Sequence, residues 1–268
     1  MTAPALVLLA NGSTDPKVAE VTHTMRVKMQ SWRPEIPMYS AFLDHCPPTG
    51  PQVVNQISRT RTEEVVFVPL NLSRAYVNDD QVDELVAKSR AAHPKLRFIA
   101  ANPVGPEAAL LPLVDRRLRA ALSAVHASEL DGLVLLTEGA DDPRSQSLIA
   151  RRTRQWSLHH KLPVVTASAN DHGADAAAAV HALRTQGRRH IAAGSLFLTA
   201  DEAYRNQAEL ALQAGATAVG QPLGAADEVM ELALGRYAVA SMEMIHFDAE
   251  QPAEGDSEKD RHLSVVSA

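Results

Sequence analysis

Two polar clusters in this 268-residue chain combine residue types that can do metal chemistry. Asp44-His45 follows one apolar run, and Asn71, Arg74, Tyr76, Asn78, Asp79 and Asp80 follow another. His45 and Asp44, with Asp80 brought in from the second loop, offer mixed nitrogen and oxygen donors suited to a divalent cation. The spacing is not that of an HxxxH or HExxH metal motif, and a histidine beside a carboxylate is also an ordinary surface pair. A third polar turn, Asn11-Gly12-Ser13, follows the first apolar run; its glycine permits a tight backbone turn. It carries neither GxGxxG nor GxxxxGK[ST], so nucleotide binding has no motif behind it.

The elements that must position these residues are set by an internal repeat. Leu6–Pro16 reads LVLLANGSTDP and Leu133–Pro143 reads LVLLTEGADDP, with 7 of 11 positions identical. Each copy is a buried strand running into a glycine turn and an Asp-Pro helix start. Further along, PLNL (69–72) matches SLFL (195–198), and Asn102-Pro103-Val104-Gly105 matches Gln221-Pro222-Leu223-Gly224. The repeat therefore covers whole halves. Strands are expected at 6–10, 38–43, 65–70, 97–100, 133–137, 164–167, 190–197 and 217–219. Helices alternate with them, including one over 106–124 and a last one ending near Met242. Such alternation predicts an α/β fold of two similar lobes, 1–126 and 127–245, each a parallel sheet flanked by helices. Loops at the carboxyl ends of parallel strands converge, which predicts a polar cleft between the lobes. Residues 246–268 are acidic and aperiodic and read as a disordered tail.

Composition excludes several classes. A net charge of -6 and a pI near 6.0 argue against a nucleic-acid binder. The pairs Arg116–Arg117, Arg151–Arg152 and Arg188–Arg189 read as solvated helix positions, with a localised anion site built from one of them as the alternative, and His159-His160 as positive charge suited to a helix carboxyl end. Cys46 stands alone, so no disulfide framework or multi-cysteine zinc site is expected. The chain shows no signal-peptide pattern and no apolar run of about 20 residues, so a cytoplasmic location without membrane contact is expected.

Taken in order, LVLLANGSTDP, AFLDHCPP (41–48), VFVPLNLSRAYVNDDQ (66–81) and NPVG (102–105) resemble the sirohydrochlorin and cobalt chelatases. Residues 194–224 resemble the second copy in the family's long form. The resemblance covers about residues 5–240. It implies a chelatase-like fold and insertion of Fe2+ or Co2+ into a sirohydrochlorin-like tetrapyrrole, as in siroheme and cobalamin synthesis. The position of the family's first metal-binding histidine falls on Asn11 and, in the second copy, on Glu138. That of its second histidine falls on Tyr76 or Val77. Asn cannot serve as a base, whereas the Glu138 carboxylate can ligate a cation. The resemblance thus implies a rearranged ligand set of His45, Asp44 and Glu138. Asp44, His45 and Asp80 become candidate catalytic groups, and Asn11, Gly12, Ser13, Arg74, Tyr76 and Asn78 candidate contacts to the substrate. Arg74 suits the carboxylates that such macrocycles carry. The alternative is a diverged carrier or regulator that binds a tetrapyrrole or metal without inserting it, and a third option is a structural partner of another enzyme of the pathway.

Overall fold

The computed structural model describes residues 3–74 and 80–250, over 245–250 for the backbone alone. It contains two four-stranded parallel sheets. The first comprises β1 (Ala5–Ala10), β2 (Met38–Phe42), β3 (Glu64–Pro69) and β4 (Arg97–Ala100) in the order β2-β1-β3-β4. The second comprises β5 (Gly132–Thr137), β6 (Val164–Ser168), β7 (Ile191–Ser195) and β8 (Ala218–Val219) in the order β6-β5-β7-β8. The two-lobed α/β expectation is met.

The central strands are buried on both faces, which is why their sequences are continuous apolar runs rather than alternating ones. Successive side chains of a strand point to opposite faces. Accordingly Ala5, Val7 and Leu9 pack under α2 (Gly50–Ile57) and α3 (Asp80–Ala92), whereas Leu6 and Leu8 face the middle of the molecule. On β5, Val134 and Leu136 face α6 (Ala176–Thr185) and α7 (Glu202–Gln213), and Leu133 and Leu135 face the middle.

The middle layer is shared. It holds α1 (Pro16–Trp32), α4 (Leu111–Ala124), α5 (Pro143–His160) and α8 (Asp227–Glu250), packed in one hydrophobic cluster with residues of both sheets. Here the order in the chain and the packing part company. Helix α4, at the end of the first repeat, lies on β7 and β8 of the second sheet, and α8, at the end of the second repeat, lies on β3 and β4 of the first. The Tyr237 hydroxyl on α8 donates to the Pro4 carbonyl at 2.8 Å, and Arg236 Nε donates to the Pro103 carbonyl at 3.0 Å. The repeats therefore exchange their last helices.

The repeated Asp-Pro acts alike in both copies. Asp15 and Asp142 cap α1 and α5 by accepting from Lys17 N and Ser145 N at 3.0 and 2.8 Å. Pro16 and Pro143 sit at the first helical position, where a missing N–H leaves nothing unsatisfied. Two boundaries differ from expectation. The helix expected from 106 starts only at Leu111, after a short 3-10 turn at Ala108–Leu110, with Pro112 in its first turn. The final helix runs to Glu250 rather than ending near Met242, because its Tyr237, Ala240 and Met244 still bury against the middle layer. No described helix is long and apolar enough to cross a membrane.

Gly194 on β7 marks where α4 and α5 press hardest on the second sheet. A Cβ there would lie 2.5 Å from Trp156 Cη2 and 2.7 Å from Val114 Cγ1. Gly194→Ala is therefore expected to destabilise the fold by about 1–3 kcal/mol through overpacking, read as a lower urea midpoint with unchanged slope.

Candidate active site

The carboxyl ends of β1 and β3 in one lobe face those of β5 and β7 in the other across a cavity of about 240 Å³. Asn11, Gly12, Ser13, Leu70 and Asn71 line it on the first side, and Glu138, Leu198, Thr199 and Asp201 on the second. The two repeated strand-turns thus meet at one place, with Asn11 and Glu138 occupying equivalent positions of the two copies.

Both turns are fixed by the close approach of a residue from the neighbouring loop, its carbonyl in the first copy and its side chain in the second. Gly12 has φ +74°, and a Cβ there would lie 2.0 Å from the Asp44 carbonyl oxygen. Gly139 has φ +89°, and a Cβ there would lie 2.2 Å from Asn170 Oδ1. Only glycine meets both demands, left-handed backbone and no side chain. The β3 and β7 loops are braced by the repeated Pro-x-Gly turns. Gly105 N donates to the Asn71 carbonyl at 3.0 Å, and Gly224 N to the Leu198 carbonyl at 2.9 Å. Asn71 Oδ1 then accepts from Ser73 N and Arg74 N, both at 2.8 Å, and so sets the course of the chain into the loop.

Two ion pairs span the lobes beside the cavity. Arg74 reaches Asp141 at 3.6 Å, and Arg205 on α7 reaches Asp15 at 2.8 Å. Arg205, together with the Lys17 N–H, holds the Asp15 carboxyl below the usual range; the N–H bond is the larger cause. Glu138 is the electrostatic exception. Burial pushes its carboxyl up to about 7, and the negative charge of Asp201 adds to this while Arg74 opposes it. Asp201 is itself committed, since it caps α7 by accepting from Tyr204 N and also accepts from the Thr199 hydroxyl, both at 3.0 Å. Glu138 is therefore a carboxyl poised near neutrality in a cleft, able to take a proton or to ligate a cation.

The structure brings some of the other expected residues together. Asp44 and His45 lie directly behind the Gly12 turn, with His45 Nε2 3.2 Å from Asp44 Oδ2. His45 adopts φ 59°, which turns it out to solvent. Asp44 Oδ1 is buried without a hydrogen-bond partner among the described residues, and so is Asn170 Oδ1 in the second copy. Asp80 is exposed at the start of α3. Asp44, His45 and Asp80 are not gathered into a three-ligand group, and none of them lines the cavity. Tyr76 and Asn78 lie outside the described residues.

The sequence does not single out one arginine cluster, and the structure does. Next to the cleft, the first turns of α5 present Arg144, Ser147 and Arg151 to an open depression of about 500 Å³. Arg151 and Arg152 part company there: Arg152 turns inward, donating to the Pro106 carbonyl at 2.9 Å, while Arg151 remains exposed. An arginine pair in sequence does not reveal which member faces a cleft.

The comparisons with known proteins agree with this architecture. Residues 5–121 match the model of the CbiX family, and the resemblance to the chelatases read from the sequence is borne out. A search of curated proteins returns no match. Among solved structures, SirB from Bacillus subtilis with Fe3+ superposes with a TM-score of 0.74 at 15% identity, over 91% of this chain and 98% of that one. The sirohydrochlorin chelatase SirB from Bacillus subtilis subspecies spizizenii in complex with cobalt gives 0.71 at 14% identity, over 91% and 97%. CbiX, the terminal enzyme for biosynthesis of siroheme in denitrifying bacteria, gives 0.58 at 16% identity, over 88% and 99%. The fold is that of the two-lobed chelatases.

The raised Glu138 carboxyl has a consequence for stability. The folded protein holds this proton more tightly than the unfolded chain, whose carboxyl titrates near 4.5. Stability is therefore lost as pH rises from about 4.5 to about 7. Glu138→Gln removes that loss. Its advantage over the parent should widen by on the order of 2 kcal/mol between pH 5 and pH 8 in urea unfolding.

Proposed function

We propose that this protein is a tetrapyrrole metal chelatase, with a sirohydrochlorin-like macrocycle entering the inter-lobe cleft and Fe2+ or Co2+ as the metal substrate. The observation that carries this reading is the placement of Glu138 where the two repeated turns face each other, in a cleft whose burial pushes its carboxyl up to about 7. The family match over residues 5–121 and the two-lobed fold support the substrate class.

Insertion of a divalent metal into a free-base macrocycle exchanges two pyrrole N–H protons for one cation, so charge is conserved. The reaction needs a base at the ring centre and a donor that holds the metal while its water is shed. An ionised Glu138 can do either, accepting one proton at a time and releasing it to solvent at neutral pH. Asn11, opposite it, contributes a neutral amide that can orient the ring but takes no proton. His45 with Asp44, behind the Gly12 turn and outside the cavity lining, offers a further pair of donors that can receive the metal before it enters the cleft, and Asp80 stands exposed at the start of α3. Arg74, at the lobe boundary, and Arg151, over the adjacent depression, meet substrate carboxylates as the macrocycle docks.

The test is to mix the purified protein with sirohydrochlorin and Co2+ or Fe2+ and to compare the absorbance change with the spontaneous rate. Acceleration is expected. Binding of the macrocycle without acceleration would turn the assignment to a carrier, and no binding at all would remove both. The rate should rise with pH through about 7 and level off above it, since only the ionised carboxylate accepts a proton. Glu138→Gln should lose most of the rate and, with it, that rising limb. His45→Ala should weaken metal binding by the protein, and unchanged affinity would return His45 to an ordinary surface pair with Asp44.

A further inference from the structure

At the far end of α5 from the cleft, three potential ligands converge from two helices. Asp115 comes from α4, and His159 and His160 are the last two residues of α5. Among the described residues they form the one group of three in which all donor atoms lie within 4.8 Å of one another. His160 Nε2 donates to Asp115 Oδ1 at 2.7 Å, and His159 Nε2 stands 3.8 Å from Asp115 Oδ2.

We propose that Asp115, His159 and His160 constitute a second divalent-metal site, for a borderline cation such as Co2+, Ni2+ or Zn2+, that fastens α4 to α5. Two imidazoles and one carboxylate form a donor set that suits these ions. Ligands about 2.0–2.2 Å from a tetrahedral ion are roughly 3.3–3.5 Å apart. The observed 2.7 and 3.8 Å straddle that value, so small side-chain rotations close the site without backbone movement. On binding, the cation replaces the proton that His160 Nε2 now donates to Asp115, and that proton leaves to solvent.

The support behind the ligands is already built. The Asp115 side chain is only 9% exposed, and its Oδ1 also accepts from the indole N–H of fully buried Trp156 at 2.6 Å. That bond fixes the carboxylate plane and leaves Oδ2 toward His159, as an outer-shell donor does in metal sites. His159 is 66% exposed, so the remaining coordination positions open to water. The 18-residue helix α5 is about 27 Å long and the cleft lies at its other end, so a metal held here cannot touch a macrocycle there. The proposal therefore stands apart from the chelatase reading.

Trp156 makes the site observable, because the only other tryptophan is Trp32 on α1. With Trp32→Phe as the parent, Co2+ alone is titrated into the full chain while Trp156 emission and the thermal midpoint are recorded. Saturable quenching at one ion per chain and a raised midpoint are expected. His159→Ala, which leaves the Asp115, His160 and Trp156 bonds intact, should weaken the quenching affinity by at least about tenfold, as should His160→Gln. Glu138→Gln should leave the quenching as it is. Absence of saturable quenching, equal affinity in His159→Ala, or loss of quenching in Glu138→Gln would overturn the assignment.

Discussion

The middle layer on which both sheets rest is the constraint that governs this molecule. Neither sheet can cover its inward face with helices of its own repeat alone. Sheet one takes α1 from its own half and α8 from the other, and sheet two takes α5 from its own half and α4 from the other. Burying one apolar cluster built from both halves joins the lobes far more firmly than a linker would. The cleft at the carboxyl ends of the strands inherits that rigidity, since β1, β3, β5 and β7 all anchor in or against the shared layer. A binding cleft needs preorganised walls, and here they are held by packing rather than by a hinge.

Within the cleft the two copies are equivalent in backbone and unlike in charge. Where the first copy has an amide after its first strand, Asn11, the second has an acid, Glu138. Where the first has an acid behind the turn, Asp44, the second has an amide, Asn170. Each glycine turn presses on the side chain or carbonyl of that second residue, so the alternation of acid and amide is built into one geometry. The result is that Glu138 faces a neutral amide across the cleft, and the like charge that adds to its raised carboxyl comes from Asp201 of its own copy.

Much of this was legible because the repeat writes the same local physics twice. Continuous apolar runs gave strands buried on both faces, and the Asp-Pro pairs gave capped helix starts. The exchange of α4 and α8 was not legible, since the apolar period of a helix shows which face is buried and not which sheet buries it. In the site, Asn11, Gly12, Ser13 and Glu138 line the cavity as the strand-end argument requires, and Asp44 and His45 stand behind it. Asp80 does not join them, because it is the exposed first residue of α3. The titration of Glu138 near neutrality comes from burial, which adjacency in sequence does not reveal. Asp115 offered a signal that adjacency to His159 could not. It lies among Leu111, Val114 and Leu118, all on the buried stripe of α4, and an acid on such a stripe requires a partner from elsewhere in the fold.

The exchanged helices also bear on how the chain comes off the ribosome. Synthesis delivers the four strands of the first sheet within the first 100 residues, yet the helix that packs on β3 and β4 is the last of the described elements. Until α8 emerges, β3 lacks the helix that packs on it from the second repeat, and α4 waits for a sheet that has not been translated. Domains that fold as separate units can form one after the other during synthesis. This pair shares one core, so the first half cannot complete its inward packing before the second half is made.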